Sequence, residues 1–233
     1  EKAGTPPAQD RLNLLLNAAS QLKDPGATVF ALERLVTYYP KKEYWVDLLS
    51  RMQRKPGFSD RLVLDTYRLS LATGSMSSTS DFMEMSQLAL QAGHELEAKQ
   101  VVDKGFASGV LGTGAEAERH KRLRDLVAKR IDEAKAARAA AESEANSAKD
   151  GNALVSLGFS TALGGDSAKG LQMMQQGIAK GGLKRPEDAK LHLGVAQVLA
   201  GDAKAQATLK SVGGTDGTAD LARLWSLYAR RKS

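Results

Sequence analysis

The chain of 233 residues is 42% hydrophobic and 26% charged, which is typical of a folded protein and excludes disorder throughout. Its 33 basic and 27 acidic residues give a formal charge of +6, an excess too small to indicate nucleic-acid binding by itself. The absence of cysteine excludes disulfides, thiol catalysis and thiolate metal sites.

Residues 1–9, which include Pro6 and Pro7, have the composition of a flexible leader. Because the chain begins at Glu1 rather than Met, we expect that an upstream segment was removed, either by a signal peptidase or by deliberate truncation. We interpret the chain as the mature form of a bacterial envelope protein, periplasmic or secreted, after removal of an export signal. A cytoplasmic location is the alternative. No run approaches the roughly 20 apolar residues that cross a bilayer, so we expect a soluble chain without a transmembrane segment.

Residues 10–111 have apolar side chains at the spacing of successive helices. Asp-Pro-Gly at 24–26 and Lys-Pro-Gly at 55–57 separate these helices. We expect Gly74 to end one of them in the left-handed conformation, and Ser80 or Asp81 to cap the next. These signals predict three helix pairs in this part of the chain.

Residues 112–150 differ from the segments on either side, because they form a long helical pattern rich in charge and alanine. Leu123, Val127 and Ile131 share one face of it, whereas its second half has no large apolar residue. The segment spans about one repeat, so we interpret it as a degenerate unit. The pattern leaves open whether it is one helix or a broken pair.

A pattern occurs twice in residues 151–217. Leu157-Gly158 is followed seven residues later by Gly165-Asp166, and the same four residue types recur 36 residues further on at Leu193-Gly194 and Gly201-Asp202. A period of this size is typical of helical-repeat arrays, in which each helix pair buries its apolar face against its neighbours. We expect the repeated glycines to be packing and turn devices, with Gly158 and Gly194 at close helix crossings.

Residues 218–233 form a final amphipathic helix with Leu221, Leu224, Trp225 and Tyr228 on its apolar face. Solenoids need terminal caps with one polar face. We therefore expect this helix to cap the last repeat, with a polar face formed by Arg223, Arg230, Arg231 and Lys232.

The repeats resemble the tetratricopeptide family, whose units of about 34 residues place aromatic, small and apolar side chains at fixed helix positions. The positions that carry this resemblance are Trp45, Leu48, Leu49, Met52, Phe82, Met85, Ser86, Ala89, Gly93, Ala98, Val102, Gly105, Gly158, Gly165, Gly170, Met174, Gly177, Gly194, Gly201, Ala205 and Leu209. The resemblance covers about two thirds of the chain, and an insertion near residues 55–58 departs from it. It implies an all-α, right-handed superhelix (solenoid) of about five to six helix pairs with a C-terminal capping helix.

In tetratricopeptide proteins the first helix of each pair lines a concave surface that binds a peptide or a partner helix. Carried onto this sequence, the groove positions are Val46, Ser50, Gln53, Met83, Gln87, Leu90, Gln91, Val155, Phe159, Leu163, Leu191, Val195 and Val198. We expect some of the apolar ones to lie in the core. Since these side chains are mostly small, apolar or amide, the resemblance implies a non-catalytic adaptor for an apolar or amide-rich segment, and it does not support recognition of an acidic C-terminal tail.

A basic run in the middle segment offers an alternative function, the binding of nucleic acid or another anionic polymer. Its members are Arg119, Lys121, Arg122, Arg124, Lys129 and Arg130. They spread around the helix rather than along one face, and no aromatic side chain lies between Phe106 and Phe159 to stack on bases. We therefore expect them mainly to solvate a long helix, and we do not expect nucleic acid as the partner.

Two motifs that suggest catalysis lack their structural context. Gly112–Ala117 matches a loose dinucleotide fingerprint, but no strand precedes it. Gly158–Ala162 resembles a nucleophile elbow, but it lies inside a predicted helix. His94, His120 and His192 fall in three different units without metal-ligand spacing. We therefore predict no catalytic residues, no metal and no cofactor.

Overall fold

The computed structural model describes residues 5–230, and in that range the chain is all-α, without a strand. The prediction of an all-helical chain whose helices pack against their neighbours is confirmed. The twelve α-helices of the described residues are α1 (Gln9–Gln21), α2 (Pro25–Tyr38), α3 (Lys42–Gln53), α4 (Val63–Thr73), α5 (Thr79–Gln91), α6 (Glu95–Ala107), α7 (Ala117–Ser147), α8 (Asn152–Leu163), α9 (Ser167–Lys180), α10 (Pro186–Ala200), α11 (Ala205–Lys210) and α12 (Thr218–Ala229). Residues 1–4 of the predicted leader, and Arg231 and Lys232 of the predicted polar face, lie outside the described residues.

The helices form two compact units. Unit 1 consists of Glu1–Ser75 and Gly214–Ser233, and therefore holds α1–α4 and α12. Unit 2 consists of Met76–Gly213 and holds α5–α11. This division groups helices by their contacts, whereas the segments 10–111, 112–150, 151–217 and 218–233 of the sequence analysis group them by similarity of repeat.

In unit 1 the pairs α1/α2 and α3/α4 are joined by packing of α2 on α3, and α12 packs against α2 and α4. The last helix was expected to cap the last repeat, and its packing on α2 and α4 corrects that expectation. Polar contacts fix its position, because the Ser59 amide donates to the Asp216 carbonyl at 2.9 Å and Arg61 pairs with the Asp216 carboxylate at 2.8 Å. The insertion near residues 55–58 also contacts α12, because Lys55 pairs with Asp220 at 2.8 Å.

Unit 2 contains the pairs α5/α6, α8/α9 and α10/α11 together with α7, which contacts α5, α6 and α8. α6 packs on α8, and α10 packs on α8 and α9. α7 is one continuous helix of 31 residues, so the open question of a broken pair is answered. His120, Leu123, Val127 and Ile131 are buried in its first half. In its second half Ala145 is buried in a cluster with Leu154 and Met173. His120 has a structural role, since its Nδ1 accepts a hydrogen bond from the Gly112 amide at 3.0 Å and holds the preceding glycine loop.

Two helix ends can be compared with the caps predicted from the sequence. Gly74 ends α4 with φ +73°, which confirms the predicted left-handed residue. The start of α5 lies earlier than predicted, because the cap is Ser78 rather than Ser80 or Asp81. The Ser78 hydroxyl accepts from the Asp81 amide at 3.1 Å and the Asp81 carboxylate accepts from the Ser78 amide at 3.2 Å, so Asp81 completes a capping box from inside the first turn.

Candidate functional site

α8 is held against α9 by glycines at their crossing. A Cβ atom on Gly158 would lie 2.8 Å from the Gly170 carbonyl oxygen and 2.8 Å from the Met174 nitrogen, so only glycine allows this approach. α6 is fixed to α8 by two hydrogen bonds, from Gln100 Nε2 to the Leu163 carbonyl at 2.8 Å and from Ser160 Oγ to the Gly93 carbonyl at 3.2 Å. Packing of α10 on α8 completes the frame of a pocket in unit 2.

This pocket, of about 330 Å³, is formed by α8, α10, the loop between α9 and α10, and the residue that precedes α6. Its lining residues are His94, Asn152, Val155, Ser156, Phe159, Leu183, Lys184, Arg185, Asp188, Ala189 and His192. Several are equivalent positions of the 36-residue repeat, namely Asn152 with Asp188 and Ser156 with His192. The pocket is therefore built from corresponding faces of the first helices of two successive repeats.

Two imidazole rings contact the ring of Phe159 in the floor of the pocket. His192 stacks on it, with ring centroids 4.4 Å apart and planes 4° from parallel, and His94 meets it edge-on at 5.6 Å. Phe159 and His94 are buried and His192 is half-buried. Aromatic pairs in these geometries stabilise each other beyond their burial, so the three rings form a rigid floor.

Asn152 holds the loop that forms one wall. Its Oδ1 accepts from the Lys184 amide at 3.0 Å and its Nδ2 donates to the Gly182 carbonyl at 3.1 Å. The Asp150 carboxylate accepts from the Asn152 amide at 2.9 Å, and hydrogen bonds from Asn152 hold the pKa of Asp150 below its usual value. The backbone of this loop is therefore held in place, and it carries the exposed residues Lys184 and Arg185 at the rim.

The structure brings together only part of the predicted groove. In unit 2, Val155 and Phe159 line the pocket, whereas Met83, Leu90, Leu191, Val195 and Val198 are buried in the core, as was expected for some of the apolar positions. Leu191 and Val195 have no exposed surface. Gln87 and Gln91 are exposed on α5, and Leu163 is half-buried at the end of α8. In unit 1, Val46 and Gln53 are exposed and Ser50 is half-buried on α3.

The basic run on α7 is exposed at all six positions, Arg119, Lys121, Arg122, Arg124, Lys129 and Arg130. Three of these side chains have acidic neighbours on the same helix or just before it, because Arg119 pairs with Glu116 at 3.2 Å and both Lys129 and Arg130 lie within 4 Å of Glu133. The guanidinium of Arg124 lies over the ring of Phe106 at 4.5 Å. The charges are thus dispersed around the helix and do not form one continuous anion-binding face.

The sequence analysis missed the roles of His94 and His192. These histidines lie in different predicted units, yet in the structure His94 and His192 both contact the ring of Phe159. The signal that could have found His192 is the repeat itself, because neighbouring first helices place equivalent positions side by side, and His192 is the equivalent of Ser156. Nothing local to residue 94 indicates its neighbour at Phe159.

A search of residues 5–230 finds no group of three or more His, Asp or Glu side chains arranged to hold a metal ion. Over the same residues, no helix combines the length and apolar character that a membrane span requires. Comparison of the chain with protein-family models, with curated proteins and with solved structures finds no match.

Proposed function

We propose that the chain is a non-catalytic, tetratricopeptide-like scaffold that binds a peptide segment of a partner protein on the exposed faces of its first helices. The observation that supports this proposal is the pocket of unit 2, where equivalent positions of two successive repeats line one opening and His192 stacks on Phe159. In a repeat array, this arrangement gives an extended segment a series of similar contacts along the stack.

The chemistry of the pocket favours a segment that offers both hydrogen bonds and a small apolar side chain. Ser156 provides a hydroxyl and His192 an imidazole at the opening, while Val155, Phe159 and Ala189 form the apolar part. An amide-rich peptide fits a pocket with both polar and apolar residues. Its backbone and side-chain amides can each donate and accept hydrogen bonds. The proposed scaffold is the right-handed superhelix that the tetratricopeptide resemblance implies.

The test is capture of partners by the purified chain from an extract of the organism that makes it, followed by mass spectrometry. We expect an identified protein partner that the wild-type chain retains and that Ser156→Arg loses at least tenfold, because the added side chain fills the opening. Gln176→Arg is the matched control, since it places the same side chain at an exposed position of α9 outside the pocket lining, and it should retain the partner.

Two results would contradict this function. Equal loss of the partner in Ser156→Arg and Gln176→Arg would show that the pocket is not the binding surface. Capture of nucleic acid or another anionic polymer in place of protein, released by a modest increase in salt, would favour the basic helix α7. A periplasmic or secreted location remains a prediction, supported by the lack of cysteine and tested by cell fractionation.

A further inference from the structure

A larger cleft lies within unit 1, on residues that the predicted groove does not include. It has a volume of about 800 Å³ and is formed by the first turns of α2, the end of α3 and the segment that follows it, and the first turns of α12. This volume falls within the range of about 300–1,000 Å³ that is usual for ligand-binding sites. The cleft is open to solvent, so a chain segment can enter it from the side.

The walls of the cleft are apolar. They consist of Pro25 and Val29 of α2, Leu48 and Met52 of α3, Pro56, and Leu224 of α12. Leu48, Met52 and Leu224 are largely buried and belong to the core, whereas Val29 is only half-buried. Apolar side chains from a partner would therefore be removed from water against Val29 and the two prolines, which is favourable in proportion to the area covered.

The rim of the cleft is basic. Arg51, Arg54, Lys55 and Arg223 line it together with one acidic residue, Asp220. Lys55 and Arg223 share the Asp220 carboxylate, at 2.8 and 3.1 Å, and Arg51 pairs with Asp47 at 2.8 Å. Arg223 also pairs with Glu33, yet burial still lowers its pKa, which means that a further anion nearby would stabilise its charged form.

Arg54 is the most available cation of the rim. It is exposed, and its Nε donates to the Ser50 carbonyl of its own helix at 3.2 Å. Across residues 5–230 it has no ion pair with a carboxylate. Its remaining guanidinium donors can therefore bind a carboxylate in the bidentate geometry that arginine favours.

We propose that this cleft binds an acidic segment of a partner protein, whose apolar side chains enter between α2, α3 and α12 while its carboxylates pair with Arg54 and the neighbouring cations. The basic rim favours acidic residues in the partner segment through charge complementarity, and the apolar walls favour side chains such as leucine. The inference rests on the proposed scaffold function, but it assigns a second surface and a different peptide chemistry from the pocket of unit 2.

The test measures fluorescence polarisation of labelled decapeptides with the full chain. The probe contains two leucines and six glutamates; one control peptide replaces the glutamates with lysines and another replaces the leucines with glycines. We expect the probe to bind, and both controls to bind at least tenfold more weakly. Added salt should weaken the binding, because surface ion pairs are screened.

Two variants locate the binding. Arg54→Glu should weaken the probe at least tenfold, whereas Arg11→Glu, which makes the same charge change at an exposed position of α1 outside the cleft, should stay within twofold of wild type. Circular dichroism checks that both variants fold. If Arg54→Glu did not fold, Val29→Gln would replace it, with a loss of about fivefold expected because it adds a polar group to a wall.

Equal effects of Arg54→Glu and Arg11→Glu would overturn the proposal, as would equal binding of the leucine-free peptide. Binding of laurate without binding of the probe would overturn it in favour of a small amphipathic acid. If the acidic probe fails while a partner is still captured through Ser156, only the assignment of this cleft falls and the scaffold function stands.

Discussion

The two copies of the 36-residue repeat, α8/α9 and α10/α11, share the glycines at 158/194 and 165/201 but pack differently. In the first copy, backbone meets backbone, because a Cβ atom on Gly170 would lie 2.5 Å from the Ala162 nitrogen and 2.5 Å from the Gly158 carbonyl oxygen. In the second copy, the position equivalent to Gly170 is Gln206, and a Cβ atom on Gly194 would meet the side chain of Leu209. A single small residue does not bring two helices together if the opposite position is large.

The second helices of the two copies also differ in length, since α9 has 14 residues and α11 has six. Asp166 caps α9 by accepting from the Lys169 amide at 3.2 Å, whereas the equivalent Asp202 accepts from the Lys204 amide, only two residues further on, at 2.8 Å. The same residue type thus starts a helix in one copy and a turn in the other. Close packing, rather than the local signal, explains why α9 extends further.

The largest expected effect is that of Gly158→Leu. Its side chain would collide with the backbone of α9, which cannot move without separating the helices, so we expect a loss of about 3 kcal/mol or more in the free energy of unfolding. Urea unfolding followed by circular dichroism measures it. Tryptophan fluorescence would not serve, because Trp45 and Trp225 both belong to unit 1. Wild-type stability would show that the crossing at Gly158 is not close.

A matched pair of alanine variants tests the difference between the copies directly. Gly158→Ala should lose about 2 kcal/mol because its neighbours are backbone atoms. Gly194→Ala should lose less than about 1 kcal/mol, since the Leu209 side chain can rotate away and alanine gains up to about 1 kcal/mol in helix propensity. The comparison uses the same unfolding experiment for both. Equal losses would mean that the two crossings are equally tight.

The turn glycines should behave alike in the two copies. Gly165 has φ +108° and Gly201 φ +73°, and a Cβ atom on either would meet nothing within 4 Å. Alanine at Gly201 should therefore lose on the order of 1 kcal/mol through backbone strain alone, and alanine at Gly165 somewhat more. Gly201→Asn is the control, because asparagine adopts the left-handed conformation more readily than alanine and should restore part of the loss.

The sequence predicted the helices and turns of the two repeats better than it predicted the contacts between helices. Period and glycine spacing are local properties, so the helix pairs and the turns at Gly74 and Gly201 could be predicted. The contact between Phe159 and His192 depends on the register of α8 against α10, and the position of α12 depends on contacts with residues more than 150 positions earlier, such as Arg61. Neither of these long-range contacts produces a periodic pattern in the sequence. The ring contacts of the pocket and the packing position of α12 could therefore not be predicted.

The smallest expected effect concerns Glu187, the second-copy equivalent of Gly151. In the first copy Gly151 meets the backbone of Gly177, whereas in the second the Glu187 carboxylate accepts a hydrogen bond from the amide of the equivalent Gly213. The Lys190 side chain, and then this amide, hold the pKa of Glu187 below its usual 4.5. A carboxyl whose pKa is lower in the folded state stabilises it above the usual pKa, and this contribution disappears as the pH falls through the folded value.

Glu187→Gln should therefore lose only a few tenths of a kcal/mol at pH 7, because the side chain is partly exposed and its ion pair is screened by solvent. As the pH falls below the usual glutamate pKa, the free energies of unfolding of the variant and the wild type should begin to converge. The Gly158 variants have no titrating group at the crossing, so their loss should be the same at both pH values. Urea unfolding at pH 7 and pH 3.5 separates the two cases, and a constant difference for Glu187→Gln would show that its carboxylate does not join α10 to Gly213.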